Sequence, residues 1–306
     1  LTRQDNQMTS LDSYNKKNIA NLNTSFKLWD KLTTDIVVNY VNQHTHNRPF
    51  LTDRMINNFT GMISTFDNPE WYLNKYKTSL GYKYVVEAPN AQSLTPEENL
   101  IYNGYKTDVL DYIWNTKAKE YDEYSNRLIG SVTNTYQINS DLSLRARFSA
   151  DVTSLKTEDK QPTERALIYD ATTGYFGLGS QNANIYYVDL LATYSKQINP
   201  DIKLGVMGGY TATKSEDTYV QRETAGGLSV RNWFDINASN NTIGGSTRYN
   251  YRRNMLRDAL FGTANFNLKE YWFVEGTLRR EVISTMHPDD NVLYYPSVNS
   301  SLVLSV

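Results

Sequence analysis

The sequence has no cysteine among its 306 residues. This absence excludes disulfide scaffolds, thiolate metal sites and thiol catalysis together. It is typical of secreted or envelope proteins that avoid stray thiols, although cytosolic proteins can lack cysteine as well.

Long apolar runs are also absent. The mean hydropathy is -0.58, and no stretch approaches the roughly 18 consecutive apolar residues that a transmembrane helix needs. A transmembrane barrel is not excluded, because barrel strands carry apolar residues only at every second position and hydropathy averages do not register them.

The chain carries little net charge. Its formal charge is -2 and its pI is near 6.0, and no polybasic run occurs. Without a basic field the chain is not expected to bind nucleic acid. Tyrosine is abundant instead, because 24 tyrosines raise the aromatic share to 13%.

Alternation of apolar and polar residues is the dominant pattern. It is unbroken over residues 142–153, where the apolar set includes Phe148 and Val152. Because successive side chains on a strand point to opposite faces, this strand has one apolar face and one polar face that carries Arg145 and Arg147. Seen once, such a strand fits any sheet with one face on a core.

The same alternation recurs and predicts four hairpins followed by a ninth strand near Tyr294. Tight turns are predicted at residues 29–31, 139–141, 199–201 and 269–270. Residues 1–16 have no sustained period and are predicted to be a loop.

The connections between hairpins are long, except for residues 286–291 before the last strand. They are predicted at 45–121, with a helical start at 95–98, and at 157–182 and 218–252. Short and long connections therefore alternate, which places all tight turns at one end of an up-and-down sheet, as in outer-membrane barrels. We predict an all-β fold, an antiparallel transmembrane β-barrel with long extracellular loops. Nine strands do not close such a barrel, so residues 1–306 are expected to be one partial barrel domain.

The fourth hairpin resembles a known family. Residues 260–266 (LFGTANF), 271–280 (YWFVEGTLRR) and 295–298 (YPSV) are similar to barrel phrases of SusC/RagA-type TonB-dependent transporters, which commonly carry LFGR-x-NY, an arm ending in RRDGSS, and FPSV. Residues 30–33 are similar to an earlier hairpin of that family. The chain departs from the family at 281–285, where EVIST replaces the usual DGSS.

The resemblance implies a roughly 22-stranded, plugged barrel, of which this chain supplies a central part without plug domain, TonB box or C-terminal strands. It further implies TonB-energised import of oligosaccharides or peptides across the outer membrane of a Gram-negative bacterium. The implied partners are outer-membrane lipid, the TonB complex, a SusD-like surface lipoprotein that caps the long loops, and a second transporter–lipoprotein pair in a dimer. The alternative is a non-energised surface barrel that serves adhesion or scaffolding.

Charged residues on the polar side of the predicted strands are one candidate ligand-binding set. In a barrel they would face the lumen, where they can hold a plug or line a substrate path. Hydration and cross-strand ion pairing are the plainer explanation. The set comprises Arg127, Arg145, Arg147, Asp151 and Asp189, with Glu275 and Arg279 further along the chain.

Aromatic residues of the predicted loops are the second set. A flat ring can stack on the apolar face of a sugar or on a peptide side chain, but packing of the loops against each other explains the same residues. The candidates are Trp71, Tyr72 and Trp233, among further aromatics at 76, 82, 84, 114 and 234.

No catalytic constellation is present, and the chain is not expected to be an enzyme. His44 and His46 could share a metal with His287, but no carboxylate lies beside the pair at ligand spacing, so solvated loop residues are expected. Adjacent acids at 97–98, 216–217 and 289–290 are interpreted as solvated turn charges. We expect no metal site and no cofactor, with calcium in an Asp/Asn-rich loop the more credible exception.

Overall fold

The computed structural model describes residues 1–8, 12–48, 68–83, 104–168, 170–241 and 248–304. The helical start predicted at 95–98 lies outside these ranges. The fold is one ten-stranded antiparallel sheet in which every strand pairs with its neighbours in sequence. The strands are β1 (Thr2–Gln7), β2 (Tyr14–Leu28), β3 (Leu32–His46), β4 (Glu120–Gln137), β5 (Leu142–Gln161), β6 (Tyr175–Asn199), β7 (Ile202–Glu223), β8 (Arg248–Leu268), β9 (Trp272–Ile283) and β10 (Val292–Leu302).

The predicted all-β, up-and-down architecture is confirmed, and the nine predicted strands correspond to β2–β10. The prediction of a loop over residues 1–16 is wrong, because it contains β1 and the start of β2. β1 is polar and exposed along its whole length, so it has no hydrophobic period. Its backbone pairing with β2, from Thr2 opposite Ile19 to Gln7 opposite Tyr14, creates the strand instead.

All four tight turns occur where they were predicted. In two of them the central residues adopt positive φ: 51° and 58° at Trp29 and Asp30, and 49° and 57° at Lys269 and Glu270. This left-handed conformation matches the right-handed twist of the strands that a tight hairpin joins.

The strands are longer than the alternation predicted, so the connections are shorter. The ends of β3, β5 and β7 run into the predicted loops and reach His46, Gln161 and Glu223. These ends are mostly polar and, although β7 carries Tyr219 and Val220 there, they show no sustained hydrophobic period. The connections cover residues 47–119, 162–174 and 224–247.

Helical structure occurs in two of these connections. The first holds α1 (Pro69–Lys75) and α2 (Gly104–Lys117), and the third holds a short 3-10 helix, Ile236–Ala238. Neither α1 nor α2 has the length and apolar character needed to cross a membrane. The two helices pack on each other through Tyr72 and Leu110.

The sheet has two different faces. From β2 to β10, apart from a bulge near Asn199, the register pairs even-numbered residues with even-numbered ones, so each parity occupies one face. The even-numbered residues form the apolar face, and large side chains remain exposed on it, such as Leu22 at 55%, Phe148 at 50% and Leu260 at 54%. The odd-numbered residues form the charged face, although it also includes Val37, Ile129 and Ile185.

The apolar face ends along a diagonal boundary. The boundary residue of β3 is Asn42, and the row of register partners that starts there reaches β8 at Arg252. The boundary residue of β9 is Arg280, whose register partner on β8 is Leu260, eight residues further along that strand. At about 3.4 Å per residue and about 4.8 Å between strands, the boundary runs at roughly 45° to the register rows. The first polar residues beyond the apolar run are Asn42, Asn126, Ser154, Asn184, Lys214, Asp258 and Arg280 on β3 to β9.

The sheet is open. β1 and β10 form its two edges, and neither pairs along its outer side with another strand in the described part of the chain. An open sheet with a continuous exposed apolar face is consistent with a segment of a barrel wall.

Replacing Glu270 with glycine should raise the free energy of unfolding by about 0.5–1 kcal/mol. Glycine removes the roughly 1–2 kcal/mol steric cost of a left-handed residue, and greater chain entropy in the unfolded state offsets part of the gain. Urea unfolding in detergent measures the change. The control, Ser140→Gly, lies in a tight turn without positive φ and should lower stability. Equal effects of the two substitutions would contradict the turn geometry.

Candidate functional site

Asp189 is the most buried charged group on the charged face, with its side chain 1% exposed. Arg147 on β5, its register partner, donates to one carboxylate oxygen at 2.6 Å, and Arg145 donates to the other at 3.3 Å. The Arg147 guanidinium also lies 5.2 Å from the centre of the Tyr187 ring. The two arginines therefore enclose the carboxylate, while 40% and 37% of their own side chains stay exposed.

A second ion pair lies nearby on the same face. Arg127 on β4 donates two hydrogen bonds to Asp151 on β5, from Nε at 2.9 Å and from a terminal nitrogen at 2.5 Å, one to each carboxylate oxygen. Five of the charged candidates from the sequence thus lie on the charged face and form two ion-paired groups: Arg127 with Asp151, and Arg145 and Arg147 with Asp189. The cross-strand pairing occupies the carboxylates, and the half-exposed guanidinium groups remain able to contact an anion.

A third group of this kind was missed by the sequence reasoning. Glu281 on β9 is buried between Arg257 at 3.2 Å and Arg279 at 3.5 Å. Arg279 belongs to the charged set predicted from the sequence, whereas Glu281 stands where the chain departs from the family phrase. Residue 281 is odd-numbered, and the alternation of β9 therefore placed Glu281 on the charged face; this was the available sequence signal.

Three tyrosines form a cluster at the loop end of the charged face. Tyr219 on β7 lies opposite Tyr251 on β8, and the ring centres of Tyr219, Tyr249 and Tyr251 are 5.7–5.9 Å apart. Asp217 accepts hydrogen bonds from the Tyr251 hydroxyl at 2.8 Å and from Gln181 at 3.0 Å. The cluster offers aromatic faces next to polar groups, as sugar and peptide sites do.

The tyrosine cluster fell within a span predicted to be a loop. The alternating positions 249 and 251, and 219 and 221, were the sequence signal for the strands that carry it.

Glu216 and Asp217 lie on β7 rather than in a turn, so their interpretation as solvated turn charges is wrong. Lys214 pairs with Glu216 at 2.7 Å.

The predicted loop aromatics divide into packed and exposed residues. Tyr72 is 4% exposed between α1 and α2, and Trp114 is 1% exposed, so neither ring has a face free for a ligand. Trp71 is partly buried against Tyr72, with ring centres 5.0 Å apart. Trp233 is 49% exposed and stays a candidate contact.

The connections pack against one another as a layer at the loop end. Arg231 lies 4.1 Å from the centre of the Tyr82 ring and donates to the Leu80 carbonyl. Lys83 pairs with Asp111 and lies 3.9 Å from Glu164. These contacts join all three long connections.

Local hydrogen bonds also order the second connection. The Thr172 hydroxyl and backbone N–H both donate to Asp170, and these bonds, with Arg165 at 3.6 Å, hold the pKa of the Asp170 carboxyl below its ordinary value. Asp170 is therefore ionised at neutral pH and fixes the turn before β6.

His44 and His46 are not solvated loop residues, contrary to the sequence expectation. They lie on β3 with side chains 27% and 12% exposed, and both contact the carboxylate of Asp122 on β4. His287, the predicted third member, is 71% exposed in the connection between β9 and β10 and is not part of this group. A loop calcium site stays a prediction.

No protein-family model and no curated protein matches this sequence. Among solved structures the chain is similar to the RagAB peptide transporter, with a TM-score of 0.68 and 13% identity over 94% of this chain and 30% of that chain. It is equally similar to the RagAB peptide importer in the closed-closed state, over 97% of this chain and 31% of that chain. The BauA ferric preacinetobactin receptor from Acinetobacter baumannii gives a TM-score of 0.49 at 10% identity.

The chain spans about 30% of the length of the RagAB chains that it matches. At 13% identity, the likeness concerns the fold: an antiparallel wall of a large barrel. The RagAB neighbours are described as a peptide transporter and a peptide importer.

Replacing Asp189 with asparagine should lower the free energy of unfolding by about 2–3 kcal/mol, because two guanidinium groups lose the charge that they share. The matched substitution Asp151→Asn should cost less than about 1 kcal/mol, because Arg127 is half exposed and solvent screens the pair. Urea unfolding in detergent compares the two variants. Equal losses would show that burial of Asp189 has no energetic role.

Proposed function

We propose that this chain forms part of the wall of an outer-membrane transport barrel, in a SusC/RagA-like, TonB-dependent importer. The observation that carries the proposal is the two-faced sheet: a continuous exposed apolar face opposite a charged face, with every tight turn at one end. A soluble sheet would cover its apolar face with protein. In a bilayer, lipid covers it.

In this proposal the apolar face contacts lipid, the charged face lines the lumen, and the tight turns are periplasmic. The diagonal boundary supports this orientation, since strands of outer-membrane barrels tilt by about 35–45° and a level membrane surface then crosses them obliquely. The polar row begun by Asn42 and Asn126, joined by a 2.8 Å hydrogen bond, would lie at the outer membrane surface.

Further strands, a plug domain and a TonB box would have to come from outside the chain described here. The share of the RagAB chains that it matches supports this part of the proposal, because a wall of ten strands is less than half of a roughly 22-stranded barrel. In lipid, the backbone groups along the edges of β1 and β10 must find partners.

The proposed cargo is an oligopeptide or an oligosaccharide. Half-exposed guanidinium groups at Arg127, Arg145 and Arg147 suit peptide carboxylates, and the tyrosine cluster suits either sugar rings or peptide side chains. The RagAB likeness and the packed loop layer together support a SusD-like lipoprotein partner above the loops. Assembly into a dimer of transporter–lipoprotein pairs is part of the same proposal.

Arginine at Phe148 should impair outer-membrane insertion strongly. Phe148 lies at the centre of the apolar run of β5, where a charge facing lipid costs about 2–4 kcal/mol. Arginine at Ser149, the next residue on the opposite face, is the matched control and should insert normally. Membrane fractionation and heat-dependent mobility of the folded barrel measure insertion. Equal insertion of the two variants would contradict the assignment of the apolar face to lipid and of the charged face to the lumen.

Energised import separates the proposed importer from a non-energised barrel. Cells that carry the protein should take up labelled oligopeptides or oligosaccharides from a mixed pool, and collapse of the proton-motive force should abolish that uptake. A strain that lacks the protein is the control. Uptake that persists without the proton-motive force would identify a passive barrel.

A further inference from the structure

The loop end of β3 and β4 brings together two histidines and one aspartate. His44 and His46 are two residues apart on one strand and therefore share a face. Asp122 on β4 is the register partner of His46 and lies diagonally from His44. His44 Nε2 lies 2.6 Å and His46 Nδ1 lies 2.8 Å from the same oxygen of Asp122.

The potential ligand atoms of these three residues all lie within 4.8 Å of one another. Two ligands of a tetrahedral zinc ion, at bond lengths of about 2.0–2.1 Å, are roughly 3.3 Å apart. The two nitrogen–oxygen pairs, now at 2.6 and 2.8 Å, would therefore open by about 0.5–0.7 Å to admit an ion. Imidazole nitrogen with carboxylate oxygen is a typical ligand set for zinc.

The surroundings hold both rings in place. The Tyr14 ring stacks on His46 with centres 5.0 Å apart, and the Tyr124 ring stacks on His44 at 4.4 Å. Such packing lowers the conformational entropy that would be lost when a metal binds. Lys16 on β2 is the register partner of His44, and its ammonium group lies 4.4 Å from the centre of the Tyr14 ring.

A second carboxylate, that of Asp12, lies beside the His46 ring on the side away from Asp122. Asp12 lies 3.8 Å from Nε2 of His46, the nitrogen that does not face Asp122. If Nδ1 of His46 binds a metal, Nε2 carries the proton and faces Asp12, which would accept a hydrogen bond once the two groups approach by about half an ångström. This is the carboxylate–histidine–metal arrangement that orients many ligand imidazoles.

The site lies away from the charged face. Its residues are even-numbered and lie between the boundary residues Asn42 and Asn126 and the loop end of β3 and β4, so they are on the side of the apolar face but beyond its boundary. β3 and β4 also enclose the longest connection, residues 47–119. An ion bound there would join β3 to β4 at the base of that connection.

We propose that His44, His46 and Asp122 form a site for a divalent transition-metal ion of the zinc type, with three protein ligands, an open fourth position and Asp12 as a supporting carboxylate. The bound ion would stabilise the pairing of β3 with β4, and the site does not depend on the proposed transport function.

Zinc titration of the detergent-purified, chelator-treated protein tests the site, with competition against a chromophoric chelator as the readout. The protein should bind one zinc ion at this site. His44→Ala and Asp122→Asn should each weaken binding at least ten-fold, and Asp12→Ala about ten-fold. His287→Ala, which changes the exposed histidine, is the matched control and should bind as the unmodified protein does.

Cobalt provides a readout that requires no variant. Co²⁺ added to the unmodified protein should give the visible absorption of a four-coordinate ion, and zinc should displace it. Failure of the unmodified protein to bind zinc, or equal binding by folded His44→Ala and His287→Ala proteins, would overturn the proposal. Heat-dependent mobility shows which variants are folded. Loss of transport with intact zinc binding would affect only the proposed function.

Discussion

The structure depends on backbone hydrogen bonding between long strands whose two faces differ in polarity. Each strand pairs only with its sequence neighbours, and the register keeps even-numbered and odd-numbered residues on opposite faces across nine strands. A shift of one residue between two strands would exchange the faces. The apolar face, the ion pairs and the tyrosine cluster all follow from this register.

The two faces use different means of stabilisation. Large apolar side chains such as Phe148 and Leu260 are left exposed on one face, which is favourable only in an apolar surrounding. On the other face, charges are neutralised across strands, most completely at Asp189 between Arg145 and Arg147. The charged groups therefore stabilise the sheet and also leave guanidinium groups available to solutes.

The loop end of the sheet carries polar chemistry on both sides. On the charged face, the rings of Tyr219 and Tyr251 lie beside Asp217, while on the other side His44 and His46 converge on Asp122. These groups lie on strands that extend past the apolar band, where backbone pairing continues without hydrophobic support. Rigid strands rather than loops thus position the best-formed clusters of the molecule.

The fold class, the tight turns and the charged face were predictable because alternation and turn chemistry are local properties of sequence. β1 and the polar strand ends were not, since they lack a hydrophobic period and form through pairing with a neighbour. The clusters were not predictable either. Asp122 is 78 and 76 residues from His44 and His46. Glu281 on β9 pairs with Arg257 on the neighbouring strand β8. Such contacts depend on register, which is set by the whole sheet and by the lengths of its connections.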